Sequence, residues 1–257
     1  MVKTKEEIEI MREGGKRLAD ILAQVASLAI PGVNTAKLNE EAERLIREGG
    51  DKPSFLGYTP EGASRPYPAT LCVSVNDEIV HGISNEGDRA LKEGDIVGLD
   101  LGLKHKGLFL DTAVTVGVGE ISKEDQKLIN ITKQALVVGI KAVRAGNTIG
   151  DIGYAIEKFA EPYGYGIPVE LGGHGIGHNV HQMPHIPNYG DRGEGEELKP
   201  GMTLALEPML NIGSAKIKLD KDGYTYKTAD GENSAHFEHT VLVTEGDPEI
   251  LTKRQTL

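Results

Sequence analysis

Asp95-Ile96-Val97-Gly98-Leu99-Asp100-Leu101-Gly102-Leu103 and Gly107-Leu108-Phe109-Leu110-Asp111-Thr112-Ala113-Val114 flank the turn Lys104-His105-Lys106-Gly107. Two apolar, strand-length runs about a glycine turn predict a β-hairpin. If Lys104 pairs with Gly107 across a two-residue turn, Asp100 falls directly opposite Asp111. Like charges opposed on one face destabilise a hairpin unless a cation lies between them, and aspartate is a poor strand former. Two surface aspartates on an exposed face fit the hairpin alone equally well.

Three further residues extend the pattern. Gly172-Gly173-His174-Gly175-Ile176-Gly177-His178-Asn179-Val180-His181 holds His174 and His178 at helical spacing, but its glycines oppose a helix. No glutamate follows His174, so the helical zinc motif fails. The glycines instead suggest backbone passing close to a ligand. Leu204-Ala205-Leu206-Glu207-Pro208-Met209 ends an apolar strand on a glutamate, and Pro208 blocks the ladder. Ala235-His236-Phe237-Glu238-His239-Thr240-Val241 is expected to hold Glu238 inside a strand. A buried glutamate must be solvated, hydrogen-bonded or bound to a cation. Asp100, Asp111, His174, Glu207 and Glu238 together offer hard oxygen donors and one nitrogen, a set suited to a pair of divalent ions in a hydrolase.

Around this core the chain is ordinary. Of its 257 residues 39% are hydrophobic and 26% charged, and 28 Lys and Arg stand against 39 Asp and Glu, net −11. That balance opposes a nucleic-acid partner, since phosphate contacts need a basic face. A single cysteine, Cys72, allows no internal disulfide and fits a reducing compartment. Residues 1–15 have no apolar core and do not read as a signal peptide, and the most apolar helical run, 19–30, is too short to span a bilayer. The cytoplasm is the expected location, with no membrane partner.

Thr4-Lys5-Glu6-Glu7 predicts a capping box opening a helix to about Ala29, stopped at Pro31-Gly32. A second helix is predicted over 35–48, and strands over 70–76, 78–81, 95–103 and 107–118. Ser122 then caps a helix reaching about Arg144, and 148–163 reads as another. Gly32-Val33-Asn34-Thr35 echoes Gly146-Asn147-Thr148, so each half reads helix, turn, helix, strands. This weak repeat predicts pseudo-symmetric halves at roughly 1–120 and 121–257 with a site at their seam.

Together, these stretches and Ser74-Val75-Asn76-Asp77-Glu78-Ile79-Val80-His81-Gly82-Ile83 resemble the type I methionine aminopeptidases of the pita-bread metallopeptidase superfamily. The resemblance spans nearly the whole chain in five ordered blocks. It implies an α+β pita-bread fold, a curved antiparallel sheet covered by helices, as one catalytic domain over 1–257. It implies that Asp100, Asp111, His174, Glu207 and Glu238 ligate two divalent ions (cobalt, manganese or iron, with zinc a further candidate). A bridging hydroxide would attack the first peptide bond of nascent chains and peptides with a small second residue. Glu207 would also accept a proton, while His81 and His181 would bind the substrate amide and stabilise the tetrahedral intermediate. Tyr67, Cys72, Val180 and Tyr224, with Tyr58, would line the methionine pocket.

The chain departs from the family at residues 59–66, an insertion at the pocket rim, and at Val180, Gln182 and Tyr224. These positions keep open a proline-directed substrate. A catalytically dead scaffold is the third reading, opposed by the presence of all five donors. The absence of a cysteine-rich extension and of a type II helical insertion predicts a short, bacterial-style enzyme, and the resemblance implies a monomer. The ribosome is a candidate partner for a co-translational enzyme, although no basic patch announces it.

Overall fold

A computed structural model describes residues 2–60 and 62–254; Glu61, inside the 59–66 insertion, lies outside the described residues. The first helix, α1 (Lys5–Ser27), begins where expected: Thr4 accepts from the Glu7 N–H and Glu7 accepts from the Thr4 N–H. Its buried face, Met11, Leu18, Leu22 and Val25, packs on the central hairpin. Helix α2 (Thr35–Glu48) is capped by Asn34, whose side chain accepts from the Ala36 N–H. Strands β1 (Lys52–Pro53), β2 (Leu71–Val75), β3 (Glu78–Val80), β4 (Ile96–His105) and β5 (Leu108–Gly117) follow. His81 is excluded from β3 by its positive φ of 61°.

In the second half, Ser122 caps α3 (Lys123–Ala142), and a Thr148–Asp151 capping box opens α4 (Ile149–Ala160). The helix expected to reach residue 163 tightens there into a single 3₁₀ turn, Glu161–Tyr163, ended by Gly164 at φ 72°. Strands β6 (Gly172–Gly175), β7 (Gln182–Pro187), β8 (Thr203–Leu206), β9 (Met209–Asn211), β10 (Ile217–Leu219), β11 (Tyr226–Thr228), β12 (Ser234–His236), β13 (His239–Leu242) and β14 (Glu249–Ile250) complete the chain. One sheet joins β1 and β2 to β4, with β5 on the other side of β4; a second runs β14-β13-β8-β6-β7, and the pairs given for both are antiparallel.

Two expectations are corrected. The hairpin turns at Lys106-Gly107, so His105 pairs with Leu108, Asp100 faces Ala113 and Asp111 faces Gly102. Both turn residues have positive φ, 46° and 97°, the primed geometry whose twist matches paired strands. The two aspartates therefore share a face but sit diagonally. Glu238 is not inside a strand: β12 ends at His236 and β13 begins at His239. Pro208, opposite the gap, has no N–H for the ladder, and the Glu238 backbone pairs instead with Ala113 on β5.

The halves repeat each other in hydrogen-bonding detail. Gly32 and Gly146 donate to Leu91 O and Leu198 O, at 2.7 and 3.0 Å, and Val118 and Val243 donate to Asp95 O and Met202 O, at 2.8 and 2.9 Å. Leu91-Lys92-Glu93-Gly94 thus matches Leu198-Lys199-Pro200-Gly201, with Gly94 at φ 89° and Gly201 at φ 87°. Counting onward, Asp100 and Glu207 hold equivalent places. The sheets meet where β5 runs beside residues 236–240.

Helix α1 approaches the backbone that follows β14 so closely that a Cβ on Gly15 would lie 2.3 Å from the Leu251 carbonyl oxygen. Gly15→Ala is expected to lower stability by about 1–3 kcal/mol despite its better helix propensity, because backbone must move. Thermal unfolding checks this; an unchanged or higher Tm would contradict it.

Candidate metal centre

The seam gathers side chains from both sheets. Asp100 comes from β4, Asp111 from β5, His174 from β6, Glu207 from the end of β8 and Glu238 from the gap before β13. One ligand atom each from Asp111, His174 and Glu238 lies within 4.8 Å of the others. His174 Nε2 is 3.5 Å from Glu207 Oε1, and the Asp100 and Asp111 carboxyls share a hydrogen bond. All five line one cavity of ≈ 120 Å³.

Surrounding bonds aim them. His174 Nδ1 lies 3.0 Å from the Gly175 carbonyl, so an Nδ1–H donor leaves the Nε2 lone pair facing the site. Asp111 Oδ1 accepts from the Thr112 N–H at 2.9 Å. The Thr112 hydroxyl donates to Glu238 O at 2.8 Å, and Arg254 donates to that hydroxyl at 2.6 Å. Thr240 Oγ1 accepts from the Asp111 N–H and donates to the Asp111 carbonyl, at 3.1 and 2.8 Å. The backbone around Asp111 and Glu238 is thus pinned by the protein's own hydrogen bonds.

Electrostatics tests whether this set fits a cation. Burial pushes the Asp100 carboxyl up to about 6. Burial first, then the neighbouring carboxylates, holds Asp111 and Glu238 well above their ordinary range, and burial does the same for Glu207. Asp100 Oδ1 and Glu238 Oε1 are buried without a hydrogen-bond partner. Orphaned acceptors among crowded carboxylates are costly unless a cation joins them. Burial also lowers His174 to about 3, keeping it a neutral ligand. The donors therefore fit hard divalent metal.

One sign follows. The carboxyls hold protons in the metal-free protein and must release them to bind metal. Mn(II) affinity is therefore expected to strengthen as pH rises from 5 to 8, with net proton release on binding. Calorimetry in buffers of differing ionisation enthalpy measures both; pH-independent affinity without proton release would contradict the picture.

Of the other predicted residues, His181 packs edge-on against His174, ring centroids 4.5 Å apart, and its Nδ1 is 3.0 Å from the Tyr58 hydroxyl. His81 sits in the strained left-handed region, and burial lowers it to about 4. The next residue must be glycine: a Cβ on Gly82 would lie 2.2 Å from Val73 O. Tyr67 and Tyr224 meet edge-on at 5.1 Å. With Cys72, Tyr58, His81 and His181 they line the cavity, whereas Val180 belongs to the same apolar cluster without being among the lining residues. Burial pushes the Cys72 thiol well up, leaving it as apolar wall.

The described residues of the 59–66 segment fold onto the rim. Tyr58 and Tyr67 are joined at its base by a 2.8 Å backbone bond, Arg65 pairs with Glu86, and the Tyr224 hydroxyl donates to Arg65 O. Pro60, from the segment expected at the pocket rim, lines the cavity, as does Phe55, whose place no sequence signal marked. His236 was missed as well, although it stands two residues before Glu238. A second cavity of ≈ 270 Å³ shares His81, His174, His181 and Glu207 and adds Val80, Leu171 and Met209.

Comparison with known proteins agrees with this arrangement. The model of metallopeptidase family M24 matches residues 9–245. The methionine aminopeptidase of Aquifex aeolicus (strain VF5) is 44% identical over 97% of both chains. Methionine aminopeptidase 1 of Bacillus subtilis (strain 168) is 41% identical over 98% of both. The solved structure of a methionine aminopeptidase from Thermotoga maritima shares 39% identity and a TM-score of 0.94 across 99% of each chain. With a matching family model, full-length relatives and a buried carboxylate–histidine site at the seam, the chain belongs to metallopeptidase family M24 and has its pita-bread fold.

Proposed function

We propose that this protein removes the N-terminal methionine from nascent chains and peptides whose second residue is small. The observation that supports it best is the joining of two environments in one cavity. Asp100, Asp111, His174, Glu207 and Glu238 stand on one side, and the aromatic wall of Tyr67 and Tyr224 with Cys72 stands on the other. In this reading the five residues hold two divalent ions, with cobalt, manganese or iron suiting the donors and zinc a further candidate. When bound, the ions supply Lewis acidity and a water made nucleophilic near neutral pH.

The chain's own residues do the rest. The apolar wall receives the methionine side chain and excludes water around it. Glu207 takes the nucleophile's proton on a carboxylate oxygen and returns it to the departing amine. His81 and His181 act as neutral imidazoles that hydrogen-bond the scissile amide and its developing oxyanion. Residues 1–257 act as one catalytic domain of two pseudo-symmetric halves, working in the cytoplasm as a monomer, with the ribosome as a candidate partner. Among the described residues no helix is long and apolar enough to cross a membrane.

The deciding experiment compares Met-Ala-Ser with Xaa-Pro peptides on Mn(II)-loaded protein. Methionine release from the first alone is the expected result. Cleavage confined to Xaa-Pro would replace the proposed substrate, and no cleavage of either by folded, metal-loaded protein would leave a scaffold.

A further inference from the structure

Glu207 is flanked on both sides. Its Oε1 faces His174 Nε2 at 3.5 Å, and its Oε2 faces His236 Nε2 at 3.4 Å. His236 is 2% exposed, and its buried Nε2 has no hydrogen-bond partner in this geometry, Glu207 Oε2 being the acceptor it faces. The ring grows from a fixed base. Thr115 Oγ1 accepts from the His236 N–H and donates to the His236 carbonyl, each at 2.9 Å. Strand β12 lies beside the Glu207-Pro208-Met209 turn, with His236 paired to Met209 and Phe237 donating to Pro208 O.

The repeat supplies an independent observation. In the first half Asp111 pairs with Gly102, two residues beyond Asp100. In the second, His236 pairs with Met209, two residues beyond Glu207. His236 thus occupies in the second half the place that Asp111, a donor to the metal centre, occupies in the first. Asp111 hydrogen-bonds the Asp100 carboxyl; His236 faces the Glu207 carboxyl in the same diagonal relation.

We infer that His236 is a positioning residue, whose Nε2–H donates to Glu207 Oε2 and holds the carboxylate with Oε1 presented to the metal centre beside His174. A carboxylate so held would keep Oε1 available to a bound ion while Oε2 stays turned to His236. This inference rests on the metallopeptidase reading above and assigns a residue that reading does not use.

The test measures Mn(II) affinity of the chelator-stripped full chain by calorimetry, and kcat and KM on Met-Ala-Ser. His236→Ala is expected to weaken Mn(II) binding by about tenfold or more, the usual cost of losing a partner of a metal-ligating carboxylate, and to lower kcat more than KM changes. His236→Gln, a neutral donor of similar reach, is expected to restore both close to the original values. Should His236→Ala not fold, His236→Leu fills the space without a donor and serves in its place. Unchanged Mn(II) affinity and kcat in the apolar variant would overturn the inference, as would a folded His236→Gln no better than His236→Ala. Absence of Mn(II) binding by the unaltered protein would overturn the metal reading itself, which distinguishes the two failures.

Discussion

Methionine release from Met-Ala-Ser is expected to fall to background when divalent ions are removed by chelation, and to return on adding Mn(II) or Co(II). The loss should be complete because the proposed site offers metal-ligating and neutral hydrogen-bonding side chains but no nucleophile of its own. Cys72, the chain's one thiol, is buried with its pKa pushed up, so it offers no reactive thiolate. Stripped protein should remain folded, since the ligand strands are pinned by Thr112, Thr240 and Arg254 independently of metal. Metal should still stabilise it. An ion at a thousandfold over its dissociation constant adds about 4 kcal/mol, which raises Tm by on the order of 10 °C in a domain of this size. Activity that survives exhaustive chelation would refute the metal-dependent reading.

Glu207→Gln should have the next largest effect on the chemical step. The substitution keeps the shape of the side chain but removes the proton acceptor, and general acid–base catalysis contributes about 10²–10⁴-fold. We expect kcat on Met-Ala-Ser to fall in that range while KM moves little, because the apolar wall that would receive methionine is untouched. Metal affinity will fall too, since an amide is a weaker ligand than a carboxylate, so kcat must be measured at saturating Mn(II). A variant within a few-fold of the original kcat under those conditions would remove Glu207 from proton transfer.

Local chemistry was readable in advance. Thr4 and Glu7, three residues apart, form the capping box expected of them, and Asn34 and Ser122 begin helices that need no distant partner. The glycines around His174 exclude a helix, and the segment is a strand followed by a turn. Where two local solutions compete, the local sequence does not choose between them. Lys104 to Gly107 accommodates either of two turns, and the choice lay in the positive φ at Lys106 and Gly107, which moved Asp100 from opposite Asp111 to diagonal from it. The match of 91–100 with 198–207 rests on four identities, Leu91, Lys92, Gly94 and Leu99 with Leu198, Lys199, Gly201 and Leu206, too sparse to stand out until the hydrogen bonds align the halves.

The sequence by itself pointed to which side chains could bind metal: four carboxylates and a histidine in apolar or glycine-rich stretches, read together with the family resemblance. It also determined the helices, whose caps and apolar faces are set by neighbours within four residues. Only the tertiary structure decided how those side chains meet. Asp100 and Glu238 are 138 positions apart, and no local preference fixes their distance. Glu238 leaves its expected strand because Pro208 cannot donate and Ala113 offers backbone partners instead. His236 faces Glu207 because Thr115 on another strand holds its backbone. These outcomes depend on long-range backbone hydrogen bonds satisfied only once both sheets are assembled, which is why an unremarkable strand histidine became a neighbour of the metal centre.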